Sequence, residues 1–526
     1  MSFTDEKDNS PTRYDFAHAA DQEVVSGGDY LEKSQTQLEL GQTATNITTS
    51  AAHLTPAHRE YLMQRHGTLE LDPMPGHGDA DPYNWPLWKK VINLILVAFH
   101  ASMSTFTAAA IIPAYGLIAE QFKVSIPDAS YLTSIQIAVL GVAPLFWKPL
   151  SHRYGRRPIW LISTICSLVC NIGCAESPNY ASTAVCRALV AFFISPAAAI
   201  GSAIVMETFF KKERARYMGI WTLMVTCGVP LGGFIGGFIA QHLGYRWIYW
   251  ILVIINGVQF VLYVFFGPET RYIRKGVEHH GSTIKQEYMT FGRIDPTPLR
   301  FYDFIQPLSM VKYLSVVIPA VAYAMVFLMS SVLVTVEIPQ LFGEAFHFNA
   351  QQLGLQFLAI IIGSVIGEQL GGVLSDKWMT LRARKGARPP PEYRLWLSYI
   401  GFILAIVGYV VFLVQTKNAG THWNITPLVG AAIAAAGNQI VTTVLITYAV
   451  DCHHEEAASI GVFITFVRQI WGFIGPFWFP YMFENCGLVI SAGIGVALMA
   501  GVSALPTVLL QWRGQSWRMK HADYVQ

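Results

Sequence analysis

The sequence predicts an all-α membrane protein with twelve transmembrane helices in two six-helix bundles. Three observations carry that prediction. The chain has 526 residues, of which 53% are hydrophobic and only 13% charged. It holds twelve apolar runs long enough to cross a bilayer, and its basic residues gather in alternate short loops. A soluble domain is about a quarter charged, and a soluble chain of this length would divide into roughly two or three domains with polar surfaces. Too few charges are present to cover such surfaces, and the mean hydropathy of +0.38 agrees.

Taken in order, residues 1–88 are rich in Ser, Thr, Gln and Asp, with acidic residues outnumbering basic ones. No basic n-region precedes an apolar h-region, so no cleavable signal peptide is read here. This composition predicts a disordered cytoplasmic tail. Asp81-Pro82-Tyr83-Asn84-Trp85-Pro86 then punctuates the chain, with Lys89 and Lys90 at the foot of the first apolar run.

A span needs about 20 mainly apolar residues. Such runs stand near 91–117, 130–149, 158–176, 182–207, 218–241 and 247–267, which places an N-terminal bundle at 89–267. A polar loop over 268–311 follows. Runs resume near 312–336, 350–373, 395–415, 426–450, 457–481 and 486–510, placing a C-terminal bundle at 312–511 and a tail at 512–526.

Orientation follows from basic residues in short loops. Arg153, Arg156 and Arg157 follow run 2; Lys211, Lys212, Arg214 and Arg216 follow run 4; Arg271, Arg274 and Lys275 follow run 6. Lys377, Arg382, Arg384, Lys385 and Arg388 follow run 8, whereas the opposite loops hold little beyond Lys123, Arg246 and Lys417. Both termini and the central loop are therefore expected in the cytoplasm. The halves also echo each other: Lys148-Pro149-Leu150-Ser151-His152-Arg153 and Gly372-Val373-Leu374-Ser375-Asp376-Lys377 follow runs 2 and 8. Internal repeats of this kind build transporters with a midplane site.

Several function classes are set aside. A net charge of +2 is too small to argue for nucleic acid. The seven cysteines lie largely in apolar runs and read as small packing residues, and Cys452-His453-His454 lacks further ligands at metal spacing. There is no phosphate-binding Gly-x-x-x-x-Gly-Lys-[Ser/Thr] loop, His-Glu-x-x-His or Gly-x-Ser-x-Gly motif. The expectation is no enzyme, no catalytic residue, no metal and no cofactor.

Ser151-His152-Arg153-Tyr154-Gly155-Arg156-Arg157-Pro158 forms a tight turn in which Gly155 permits the bend and the arginines can pin helix ends. It resembles the signature loop of the major facilitator superfamily, Gly-x-x-x-Asp-Arg-x-Gly-Arg-Arg. Lys148 and His152 stand where that pattern has Gly and Asp, while the second copy retains Gly372 and Asp376, with Lys377 at its arginine position. The resemblance implies a gating loop whose Asp helps latch the halves, a role His152 cannot fill with a fixed negative charge. Gly228-Val229-Pro230-Leu231-Gly232-Gly233-Phe234-Ile235-Gly236-Gly237 in run 5 looks like the family's antiporter motif, with Val229 and Gly233 at its proline positions. Asn84-Trp85-Pro86, Gly244-Tyr245-Arg246-Trp247, Pro268-Glu269-Thr270-Arg271, Phe466-Val467-Arg468 and Gly475-Pro476-Phe477-Trp478-Phe479-Pro480 resemble the fungal drug:proton antiporter-1 branch.

Ionisable groups inside a bilayer are costly and usually face a cavity or a partner. The candidates for proton coupling or for facing a cavity are Arg187, His100, Glu207, Glu368 and Arg468; Arg187 resembles the family's run-4 arginine, which implies a proton-coupling element. His100 reads equally as a packing residue, Arg187 as a snorkelling one, and Glu207 and Glu368 as interface residues. Phe99, Phe106, Trp221, Asn438 and Gln439 are candidates for lining a substrate cavity, and aromatic belts or packing are the other reading. The expected function is proton-coupled export of small amphipathic molecules by alternating access. Uptake of a nutrient or polyamine and a transport-silent sensor stay open. Expected partners are a small-molecule substrate, protons and the lipid bilayer, with the chain a monomer in the cell membrane or the vacuolar membrane.

Overall fold

The computed structural model describes residues 54–274, 282–383, 390–453 and 456–525; the expected tail segment 1–53, part of the central loop and Arg384, Lys385 and Arg388 lie outside them. Twelve helices are long and apolar enough to cross a bilayer. Spans 1 to 6 are Leu87–Phe122, Ile126–Tyr154, Arg156–Ala175, Tyr180–Thr208, Lys211–Leu243 and Arg246–Phe266. Spans 7 to 12 are Leu314–Phe346, Ala350–Arg382, Pro391–Ala419, Thr426–Cys452, Ala457–Phe477 and Phe479–Trp517. No strand occurs among the described residues. Away from their ends and breaks, helices pair their backbone groups within the segment, which lipid requires.

Several spans outrun the apolar runs that predict them. Span 5 begins at Lys211 and span 12 continues to Trp517. At 1.5 Å per residue, the 33 residues of span 5 exceed the roughly 30 Å hydrocarbon core, so polar turns project from it. Span 7 also differs from its expected end near 336, continuing to Phe346 across two irregularities. These are a π segment at Leu328–Leu333 and a break at Glu337. Span 1 breaks likewise, in a 3₁₀ turn at Ile112–Ala114 where Pro113 has no N–H to give. Ile111 and Glu337 share φ −89° and ψ −8°, and each precedes an Ile-Pro pair. The two halves thus repeat a backbone break.

Spans 1 to 6 pack mainly among themselves, as do spans 7 to 12, and the halves meet along spans 5 and 8 and spans 2 and 11. The glycines of span 5 explain the closeness. Gly228, Gly232 and Gly236 face span 1, where a Cβ at Gly232 would stand 2.5 Å from the Phe106 carbonyl oxygen. Gly233 and Gly237 face the other half, where a Cβ would stand 2.5 Å from the Phe357 ring and 2.6 Å from the Ala350 oxygen. Pro230 lies within the helix between them. Small residues at such four-residue intervals let helix backbones touch.

Residues 54–86 depart from the expected disordered tail. They form a strap on the end of the bundle that carries Arg153–Arg157, called the basic end below. Helix Pro56–His66 is capped by Thr55 and buries Leu62. Tyr83, Trp85 and Asp81 are buried too. Arg274 grips Asp81 with two 2.8 Å bonds, Arg65 donates to the Asn84 carbonyl, and Tyr83 stacks on Phe210 with centroids 5.1 Å apart. Averaging composition over 88 residues hid the aromatic anchors of 81–86, whose burial offsets the ordering entropy.

Gly236→Val would drive a side chain into the Ala110 carbonyl. It is expected to cost about 1–3 kcal/mol, seen as a lower thermal-unfolding midpoint in detergent. Gly116→Ala, whose Cβ meets nothing within 4 Å, should change little.

Candidate functional site

At the basic end, three helix termini are tied by charges. Gly155, at φ 95°, turns the chain from span 2 into span 3, and a Cβ there would overlap the Glu269 carboxylate. That carboxylate caps span 3, accepting the Arg156 N–H at 2.8 Å and the Arg157 N–H at 2.9 Å, and also the Arg271 N–H at 2.7 Å. Anions at a helix N-terminus meet both free N–H groups and the positive dipole end. Burial pushes the Glu269 carboxyl up from its ordinary range, the N–H donors pull the other way, and nearby Glu207 adds to the rise.

The arginines close the cage. Arg156 pairs with Glu207 at 2.8 Å and donates to the Ser151 hydroxyl at 2.5 Å. Arg157 donates to the carbonyls of Tyr263, Gly267 and Val264, capping the C-terminal end of span 6, and to that of Tyr288. Arg153 reaches the Pro298 carbonyl and Asp303 in the central loop. Glu207, expected as a proton-coupling or interface residue, is therefore a cage member, also accepting from Thr270 at 2.9 Å.

His152 is half-buried and has Lys148, Arg156, Arg271 and Asp295 as its electrostatic neighbours. An Asp there would bring a fixed negative charge to the three cations, which an imidazole does not carry. Lys148, the other departure from the family's loop, crosses between halves and donates to Ser459 of span 11 at 2.7 Å. The second half repeats part of the cage: Arg394 donates to Ser375 at 2.6 Å and pairs with Asp451 at 3.1 Å. Ser151, Arg156 and Glu207 thus have Ser375, Arg394 and Asp451 as counterparts. Gly372 has open space where a Cβ would stand, Lys377 is exposed, and the Asp376 side chain lies outside the described residues.

A second group lies near the middle of the helices, at the seam between halves. Gln439 of span 10 donates to Glu368 of span 8 at 3.4 Å and to Thr226 of span 5 at 2.9 Å. Asn438 donates to the Gln439 side-chain oxygen, and its own Oδ1 is buried without a partner among the described residues. No ion pair reaches Glu368 among the described residues. On the other seam, Arg468 of span 11 is half-buried and pairs with no carboxylate among the described residues. It donates to the Tyr323 hydroxyl at 3.2 Å and lies over the Phe327 ring. At Gly472, one turn on, a Cβ would stand 3.1 Å from Phe327 and 3.3 Å from Ile137 of span 2.

Other candidates are not brought to these seams. His100 is fully buried among spans 1, 3 and 6, bonded to Tyr263 at 3.3 Å and Ser163 at 3.2 Å. The packing reading fits it. Arg187 is 1% exposed inside the first half. It donates to the carbonyls of Leu132, Ala108 and Thr107 at 3.0, 3.4 and 3.5 Å. The last two carbonyls stand where span 1 breaks and its helical partners are lost. Phe106 packs on Gly232, Phe99 on the core of the first half, and Trp221 on Gly201. Sequence reasoning missed Glu269, although its motif was visible, and the pair Arg394 and Asp451, which no local motif announced. It also missed Glu337, which fell just past the expected end of run 7.

Comparison with known proteins agrees with this architecture. The family model described as Major Facilitator Superfamily matches residues 94–476. The MFS transporter cpaT of Aspergillus oryzae is 29% identical over 455 residues, covering 84% of this chain and 90% of the relative. The efflux pump vrtL of Penicillium aethiopicum is 27% identical over 439 residues, with 82% and 85% covered. The efflux pump radE of Floropilus chiversii is 26% identical over 455 residues, with 82% of each chain covered.

Two substitutions separate caps from function. Glu269→Ala strands three N–H groups and is expected to cost about 1–3 kcal/mol in thermal unfolding, with Glu269→Gln between it and the unmodified chain. Arg187→Ala, stranding carbonyls at the span-1 break, should also lower the unfolding midpoint, by an amount of the same order.

Proposed function

Because this chain belongs to the Major Facilitator Superfamily, a family of membrane transporters, we propose that it exports small amphipathic organic molecules in exchange for protons. Glu368 is the proton carrier in this reading. The observation that supports it is the bridge Glu368–Gln439–Thr226, which couples an unpaired carboxylate to a bond across the seam. Ionised, Glu368 draws the Gln439 amide towards span 8. Protonated, it releases that amide to Thr226 of the opposite half. One proton therefore shifts the strength of a cross-half hydrogen bond, and the halves rock along spans 5 and 8 and spans 2 and 11. Arg468 and Asn438 supply further polar contacts, while aromatic and apolar walls suit amphipathic cargo.

The relatives named as efflux pumps favour export over uptake. The basic loops favour a cytoplasmic basic end, with both termini there, and the cell membrane is the location that fits an exporter. A single chain with few charges along its seams also fits a monomer acting on drugs or toxic metabolites.

Reconstitution in vesicles tests this with a panel of amphipathic drugs and dyes. Imposing a pH gradient should drive flux, and an ionophore that collapses the gradient should stop it. Glu368→Gln should lower gradient-driven flux about tenfold or more, equivalent to ~1.4 kcal/mol in the limiting barrier. Flux indifferent to the gradient would sink the proposal.

A further inference from the structure

The repeat places an anomaly at the far end of the seam, opposite the basic end. Ile111 and Glu337 occupy the same broken backbone in spans 1 and 7. One is an apolar residue; the other is a carboxylic acid. The halves are in contact at this end. Tyr131 stacks on Phe477 with centroids 4.5 Å apart, His242 bonds Gln351 at 3.0 Å, and Gly237 would touch Gly354.

Glu337 is 2% exposed, and among the described residues its Oε2 has no hydrogen-bond partner; although it stands at the N-cap of Ile338–Phe346, its side chain makes no capping bond there. The titratable groups facing it are Tyr115 of span 1 and Tyr131 of span 2, with Glu344 on its own span, and Arg187 stands behind Tyr115. None of the three is a cation. Tyr115 is committed to Thr133 through a 2.6 Å bond. An ionised carboxylate so buried, without a cation or a full set of donors, costs several kcal/mol. A buried ionisable group in a span that lacks a partner is a functional candidate.

We propose that Glu337 is a proton-operated gate residue: it takes up one proton from the aqueous phase at the far end as that end closes. It returns the proton to the same phase as the end opens and the carboxylate becomes hydrated. The closed gate binds one more proton than the open gate. Raising pH therefore favours opening at the far end, by up to about tenfold per pH unit in the closed-to-open ratio while the open-gate carboxyl is ionised. This deepens the proton-coupled reading by adding a second, gating proton to the one on Glu368, but it is tested without substrate.

The test uses the full chain in lipid nanodiscs with His242→Cys and Gln351→Cys, a protease site inserted between residues 274 and 282, and a short bis-maleimide. Cutting the loop after cross-linking reports whether the halves were held together at the far end. The same double-cysteine protein carrying Glu337→Gln is the reference at each pH, which removes the pH dependence of thiol chemistry. Cross-linking of the parent relative to Glu337→Gln should fall as pH rises from about 5 to about 8. Glu337→Asp should keep the fall. Parallel curves for parent and Gln would overturn the proposal, as would an Asp variant that behaves like Gln. Gradient-independent flux in vesicles would instead remove the export reading and leave this gate intact.

Discussion

Lipid supplies no hydrogen bonds, so every polar group carried into the bilayer must find its partner within the protein. Much of this structure follows from that constraint. Where helices end or break, carbonyls and N–H groups are exposed, and charged side chains are spent on them. Glu269 caps span 3, Arg157 covers the last carbonyls of span 6, and Arg187 covers the carbonyls freed where span 1 breaks. Charges that look functional in a sequence are thus divided between caps and exceptions. The exceptions are informative because their environment leaves something unsatisfied.

Glu368, Arg468 and Glu337 are the exceptions. None has an ion-pair partner among the described residues, and all three lie along or beside the seams rather than inside one half. The seams themselves are made by small residues. Gly233 and Gly237 admit Phe357 and the span-8 backbone, so the halves approach closely with few polar ties. Separating such an interface breaks van der Waals contacts rather than buried ion pairs. The polar exceptions then decide which end is open.

Hydropathy made the twelve spans legible, since apolar length is a direct consequence of the bilayer. The turn at Gly155 and the arginines after it were equally readable from a local pattern. The rest depended on tertiary context. Arg187 and His100 are correctly unusual for a membrane span, yet only packing reveals that carbonyls and hydroxyls satisfy them. Glu337 escaped because an apolar window ends where a charge appears, although the helix continues through it to Phe346. The strap at 54–86 escaped because its anchors, Tyr83 and Trp85, are few among many polar residues. The Arg394–Asp451 pair joins residues far apart in sequence, and only the repeat could have suggested it.

The two departures in the gating loop have a joint consequence. With His152 in place of an acid, the first half cannot offer a fixed negative charge across the basic end. Lys148 instead makes the crossing, and its partner is the neutral hydroxyl of Ser459. The Ser459 hydroxyl carries no charge, and Glu456 of the second half stands as an electrostatic neighbour of Lys148. The crossing at the basic end is therefore made by a cation from the first half rather than by the acid of the family's loop. The far end, by contrast, closes over a carboxyl that must be neutral to be buried. In the proposed gate, the balance between ends then depends on protonation at the far end as well as on the Lys148 crossing at the basic end.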